Sequence, residues 1–150
     1  MKRFLSAFTI LILGVAGLAS AVTARHTHGV AYASVTHTEG SNLYVSGDFK
    51  DSFLGRGAIV YVVTVSSGPQ SGSFTVKARR VTIYTAKGSL TGTGKATQTV
   101  APNNGPVTVS GGTFSLTRGT GAYAGHRFTG TFGGPQNNGV YKFTYAGTYR

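Results

Sequence analysis

From Val140 to Tyr149 apolar and polar positions alternate strictly, with Tyr141, Phe143, Tyr145 and Tyr149 on one face and Lys142, Thr144 and Thr148 on the other. A period of two is the repeat of a β-strand, so this segment reads as a strand with one aromatic, buried face. The texture recurs upstream. Stretches rich in Val, Thr, Tyr and Phe are separated by clusters of Gly, Asn, Pro and Ser roughly every ten residues, without a helical period. Strands are predicted over 42–49, 57–65, 72–78, 80–85, 89–100, 106–116, 123–132 and 140–149, eight in all.

The punctuation fits antiparallel neighbours. Asn104-Gly105 and Asn138-Gly139 are dipeptides that accept positive φ at both positions of a tight hairpin turn. Ser67-Gly68-Pro69-Gln70 and Ala86-Lys87-Gly88 break the chain in the same way. The segment 57–65 is apolar on both faces, as expected of a strand that is buried on two sides or lines a barrel covered outside by a subunit partner. Between Val109 and Phe114 the apolar positions move from odd to even numbers across Gly111-Gly112, which predicts a bulge. Bulges and interior glycines curve a sheet toward closure. The expected fold class is therefore all-β, a single antiparallel eight-stranded barrel rather than a flat sandwich.

The start of the chain is of another kind. Lys2 and Arg3 precede an apolar run from Phe4 to Gly17, and small residues follow, which are the three parts of an export signal. Ala19-Ser20-Ala21 and Val22-Thr23-Ala24 both place small residues at cleavage offsets; the second is preferred. The expected organisation is a signal peptide over 1–24, a mobile N-terminal segment over 25–41 and a barrel domain over 42–150, with the product secreted to the extracellular side. The apolar run is shorter than the roughly 20 residues that span a bilayer. No later run matches it, and with no Cys the chain offers neither a lipid-anchor site nor a disulfide. The mature chain is accordingly not expected to be membrane-embedded, and its stability must come from packing and sheet closure.

Charge narrows the partners. Fourteen Lys and Arg include Lys2 and Arg3 of the leader, leaving twelve basic side chains against Glu39, Asp48 and Asp51, a net of +9. Such a balance draws a protein toward anionic surfaces such as nucleic acid, acidic polysaccharide or lipid headgroups, and keeps it soluble. The densest cluster is Lys77, Arg79 and Arg80, with Lys87 nearby, the expected anion-binding residues. Nucleic acid is not expected as a partner, because only Tyr84 shares that basic face and single strands need a platform of stacked aromatics.

The scarcity of acids limits the enzymology further. A glycosidase needs two opposed carboxylates, and none follows Asp51. A serine hydrolase would need a nucleophile elbow that the chain lacks. His26 with His28, and His37 with Glu39, alternate as metal ligands on a strand face can, but imidazoles on a mobile N-terminal segment are simply solvated, spacing alone does not specify a site, and no metal site is assigned. Gly119-Thr120-Gly121 is not followed by a helix that could hold a dinucleotide, and no cofactor is expected. An eight-stranded barrel is either filled by side chains or holds one small ligand. Candidates for lining such a site are Tyr61, Val63, Phe74, Tyr84, Phe114, Phe128 and Tyr145, with Asp48, Tyr61, Tyr84 and His126 as the candidates for proton transfer or ligand orientation.

The stretch Gly112-Thr113-Phe114-Ser115-Leu116-Thr117-Arg118-Gly119-Thr120-Gly121-Ala122-Tyr123-Ala124-Gly125, followed by Gly130, resembles the strand and Gly-x-Gly turn of the allene oxide cyclase and dirigent barrel superfamily. Gly72-Ser73-Phe74 through Ile83 to Gly88-Ser89-Leu90 resembles that family's paired middle strands, and Asp48-Phe49-Lys50-Asp51-Ser52-Phe53-Leu54-Gly55 its first strand and loop. The resemblance implies an eight-stranded antiparallel barrel with a central cavity, commonly a trimer or another homo-oligomer. It carries over no active site: the glutamate and cysteine of the plant cyclases have no matching positions, and only Asp48 and Asp51 could stand in for dirigent-type aspartates. The expected function is that of a secreted barrel binding a small hydrophobic or aromatic ligand, with isomerase or cyclase-type chemistry as the enzymology left open. The alternative is a structural or adhesive extracellular protein whose basic face binds anionic envelope polymers.

Overall fold

The computed structural model describes residues 23–65, 71–103 and 105–150. Residues 1–22 of the expected leader, the turn at Ser67 to Gln70 and Asn104 lie outside the described residues. Eight strands follow one another: β1 (Arg25–Glu39), β2 (Asn42–Asp51), β3 (Gly55–Thr64), β4 (Gly72–Thr85), β5 (Gly88–Val100), β6 (Val107–Gly119), β7 (Phe128–Asn137) and β8 (Val140–Tyr149). Each pairs antiparallel with the next, and β1 pairs with β8 to close the barrel.

The count of eight agrees with the sequence expectation, but two of its members differ. Residues 25–39 are not a mobile tail; they form β1, bonded to β2 on one side and β8 on the other. Its alternation is hard to see because its inward residues Thr27, Gly29, Ala31 and Ala33 are small. They face large partners: Gly29 pairs with Tyr145, Ala31 with Phe49 and Phe143, and Ala33 with Tyr141. The compensating difference is that 72–78 and 80–85 are one strand, β4, continuous through a register shift between Ala78 and Val81. That bulge leaves Arg79 and Arg80 both exposed and returns Val81 and Ile83 to the interior. Tyr123, expected to begin a strand, sits instead in a 3-10 turn over Gly121–Tyr123.

The expected bulge in β6 is present. The β6–β7 register shifts between Val109 and Gly112, and Gly111 takes φ +57°, so that Val109, Phe114 and Leu116 all point inward. At the β7–β8 turn Asn138 and Gly139 adopt φ 50° and 80°, the left-handed pair of a tight hairpin.

Inside, large side chains lie over glycines on neighbouring strands. The ring of Phe128 covers Gly147, so closely that a Cβ there would overlap its Cε2. Replacing Gly147 by alanine is therefore expected to cost about 1–3 kcal/mol through overpacking, read as a lower urea midpoint with an unchanged slope. The outer wall carries Thr, Ser and Lys, as in Thr113, Ser115 and Thr117 of β6, while the interior is apolar. This is the reverse of a membrane-spanning barrel, which is apolar outside.

The two ends differ. At one, Leu54, Leu90, Leu116, Tyr123, Phe128 and Tyr149 are buried and seal the barrel. The Tyr123 hydroxyl and Thr85 Oγ1 share a hydrogen bond there at 2.8 Å. At the other, Val35, Leu43 and Val63 are partly or fully exposed and form a mouth.

Candidate functional site

The interior holds a cavity of about 120 Å³ whose lining runs from Phe128 and Tyr145 near the sealed end out to Val35. Its two sides have different chemistry. Strands β2 to β5 supply mostly aliphatic and small side chains, among them Val45, Ile59, Val76, Ala78, Val81, Ile83 and Ala96, with Phe49 and Tyr61 as the aromatic exceptions. Strands β6 to β8 supply a continuous aromatic wall. Phe114 meets Phe128 edge-on at 4.8 Å and Tyr145 at 6.2 Å, while Phe132 packs edge-on against Phe143 at 5.4 Å. Tyr141 stacks on Phe143 at 5.5 Å, which ends the wall near the mouth. Such edge-to-face contacts hold rings in fixed orientation, so the wall is a firm surface.

Polar groups are few. Toward the mouth, Tyr61 of β3, Tyr141 of β8 and Gln98 of β5 reach the same space. Burial pushes the ionisation of the Tyr61 phenol to higher pH, and the neighbouring Tyr141 phenol pushes it higher still. Burial likewise raises Tyr141, while the Gln98 side chain works the other way. Both phenols therefore stay protonated at neutral pH and present O–H groups to a ligand oxygen.

Deeper in, Tyr145 reaches toward Asp51. The carboxylate is 5% exposed. Its Oδ1 accepts hydrogen bonds from Thr27 Oγ1 at 2.5 Å and from the backbone N–H groups of Phe53 and Leu54 at 2.7 Å each. These bonds fix the β2–β3 loop that helps close the sealed end. Oδ2 is buried without a hydrogen-bond partner of ordinary geometry. Burial first, and then the proximity of this carboxylate, push the Tyr145 phenol up. Gly29 makes the approach workable, since a Cβ at that position would meet the end of the Tyr145 side chain.

Of the seven residues expected to line the site, Tyr61, Val63, Phe114, Phe128 and Tyr145 do so. Phe74 packs against the core without lining the cavity. Tyr84 is a correction: it is 47% exposed on the outer wall, because the β4 bulge reverses the parity established by Phe74. Of the proton-transfer candidates, Tyr61 alone lines the cavity. Asp48 is exposed on the outside of β2, one position out of phase with inward Phe49 and Asp51. His126 is stacked on Tyr149 at 4.8 Å, with Nδ1 buried and unpartnered, outside the cavity lining. The anion-binding set divides. Lys77, Arg79 and Arg80 lie on the outer wall of β4, and Lys87 lies in the turn beyond it at the sealed end.

Sequence reasoning missed Phe49, Phe132, Tyr141 and Phe143 as lining residues, although the β8 alternation already put Tyr141 and Phe143 on the face of Tyr145. Among the described residues no group of three or more His, Asp or Glu is placed to hold a metal ion. No family model matches this chain, and neither a curated protein nor a solved structure does.

Proposed function

We propose that the barrel binds one small apolar or aromatic molecule in its interior, outside the cell. The observation that carries this reading is the cavity of about 120 Å³ between an aromatic and an aliphatic wall. Apolar cavities of about 150 Å³ stay dry and take up benzene, so a ligand of a single ring or a short branched chain is the matching size. Tyr61 and Tyr141 near the mouth favour a ligand with one oxygen at its end, such as a phenol. The export-type leader supports the extracellular setting. Isomerase or cyclase-type chemistry of the kind suggested by the allene oxide cyclase and dirigent resemblance would have to use the phenols, with Asp51 behind Tyr145 as the nearest carboxylate.

Gly94 supplies the test. It lines the cavity, and a Cβ there would meet its nearest neighbours at 3.4 to 4.0 Å, ordinary contact distances. Gly94→Leu should fill the cavity from a position with room for it. Titration with phenol, toluene and indole, followed by NMR shifts of the aromatic wall, is expected to show saturable binding to the unmodified barrel. In Gly94→Leu the affinity should fall by at least about tenfold, the equivalent of 1.4 kcal/mol. Equal uptake by both proteins, or none by either, would sink the reading.

A further inference from the structure

The sealed end of the barrel carries a property that the interior does not need. Of the twelve basic side chains from Arg25 onward, seven stand at this end, all exposed. Lys50 and Arg56 are directly opposed across β2 and β3. Arg127 and Arg150 are opposed across the start of β7 and the end of β8, their backbones joined by bonds of 2.8 and 2.9 Å. Arg25 pairs with Tyr149 beside them, and Lys87 and Arg118 complete the circle from the β4–β5 turn and the end of β6.

Like charges set directly opposite one another on a sheet oppose its pairing, and the chain offers little to relieve them. Asp51 is buried with Oδ1 committed to the loop, Asp48 faces outward on the wall, and Glu39 is at the mouth end. Even with an α-carboxylate counted at Arg150, the positive charge at this end is in large excess. An aromatic stands among the cations: Phe53, 39% exposed in the β2–β3 loop, with the Arg25 guanidinium 5.0 Å above its ring.

We propose that the sealed end is a docking face for an anionic lipid surface, with the cavity mouth held away from it. The cations encircle one end of a cylinder instead of following a groove. A single polymer strand crossing that end meets a few of them, whereas a flat layer of phosphate headgroups meets the ring together. Phe53 has the amphipathic setting of side chains that sit at headgroup level, and basic residues beside an anionic membrane each add to the attraction. The barrel stays outside the hydrocarbon, as its polar wall requires.

The test uses residues 25–150, because all eight strands of the closed barrel begin at or after Arg25 and the apolar leader would itself bind lipid. Sedimentation with phosphatidylcholine vesicles is compared with sedimentation with vesicles containing phosphatidylglycerol, at rising salt. Binding is expected only with the anionic vesicles and should weaken with salt. Arg25→Gln/Arg127→Gln/Arg150→Gln should lower the partition coefficient roughly a hundredfold, at about fivefold per cation. Lys77→Gln/Arg79→Gln/Arg80→Gln removes the same charge from the wall and should change it far less. Equal losses in the two variants would reduce the effect to net charge and overturn the proposal. So would retention on soluble polyphosphate without binding to vesicles, which would assign the face to a polymer. The chain has no cysteine, so a polarity-sensitive dye on Phe53→Cys can be compared with one on Ser41→Cys at the mouth. Only the first should shift to the blue on anionic vesicles; a shift at Ser41 alone, or none at either site, overturns the orientation.

Discussion

Asp51→Ala is expected to lower the unfolding free energy by about 2–4 kcal/mol, while Asp51→Asn should cost about 1 kcal/mol or less. The asymmetry follows from how the two carboxylate oxygens are used. Oδ1 is the shared acceptor for Thr27 Oγ1 and the N–H groups of Phe53 and Leu54. Thr27 and Leu54 are buried, so removing the acceptor leaves donors that water does not reach. Oδ2 has no partner, and its loss in alanine returns part of that penalty. Asparagine keeps Oδ1 as the acceptor and replaces only Oδ2, so the three donors stay satisfied. Against a total of about 5–15 kcal/mol for a domain, the alanine change is large. Urea melts of the three proteins measure it. Equal losses in Ala and Asn would mean that the carboxylate charge, and not the Oδ1 anchor, holds the loop.

Asp51 also marks what the sequence reveals about the site and what it conceals. Inward Val45 and Phe49 carry odd numbers in β2, so period two puts Asp51 inside and Asp48 outside, a deduction available from the alternation alone. The glycine-marked bulge at Gly111-Gly112 was legible for the same reason, since the apolar positions visibly change parity there. The β4 bulge was not. Arg79 and Arg80 fall between inward Ala78 and Val81 without a glycine or proline to mark the shift, so Tyr84 is expected in the lining although it shares the outer face of Arg80. Strand β1 was hidden by complementarity across strands: its inward side is small because Tyr145, Phe143 and Tyr141 of β8 fill the space opposite. No pattern within residues 25–39 can show that, because the information is in the partner strand. The cavity itself depends on the sum of side-chain volumes after closure, and the ring of charge at the sealed end on which strand termini meet, so both appear only with the topology.

Alkaline conditions should unfold the barrel in a way that identifies its buried phenols. Burial raises Tyr61, Tyr141, Tyr145 and Tyr149 above the usual 10.0. Between the unfolded value and the folded one, the native state keeps a proton that the unfolded state has released. Raising the pH in that interval therefore favours unfolding: the stability is intact below about pH 10 and is lost progressively above it. For Tyr61, buried in the lining of the cavity, the loss is about 1.4 kcal/mol per pH unit. Tyr145 is half-buried, and solvent screening makes its share smaller. Urea midpoints measured from about pH 8 upward should be flat to about pH 10 and then fall steeply. The chain has eight Tyr and no Trp, so phenolate absorbance can be followed on the same samples, and part of it should appear only as the barrel unfolds. Tyr61→Phe is expected to leave the neutral-pH midpoint nearly unchanged and to flatten the alkaline slope. If the variant and the unmodified protein lose stability in parallel above pH 10, the Tyr61 hydroxyl is not shut inside the barrel and does not belong to a water-excluded cavity.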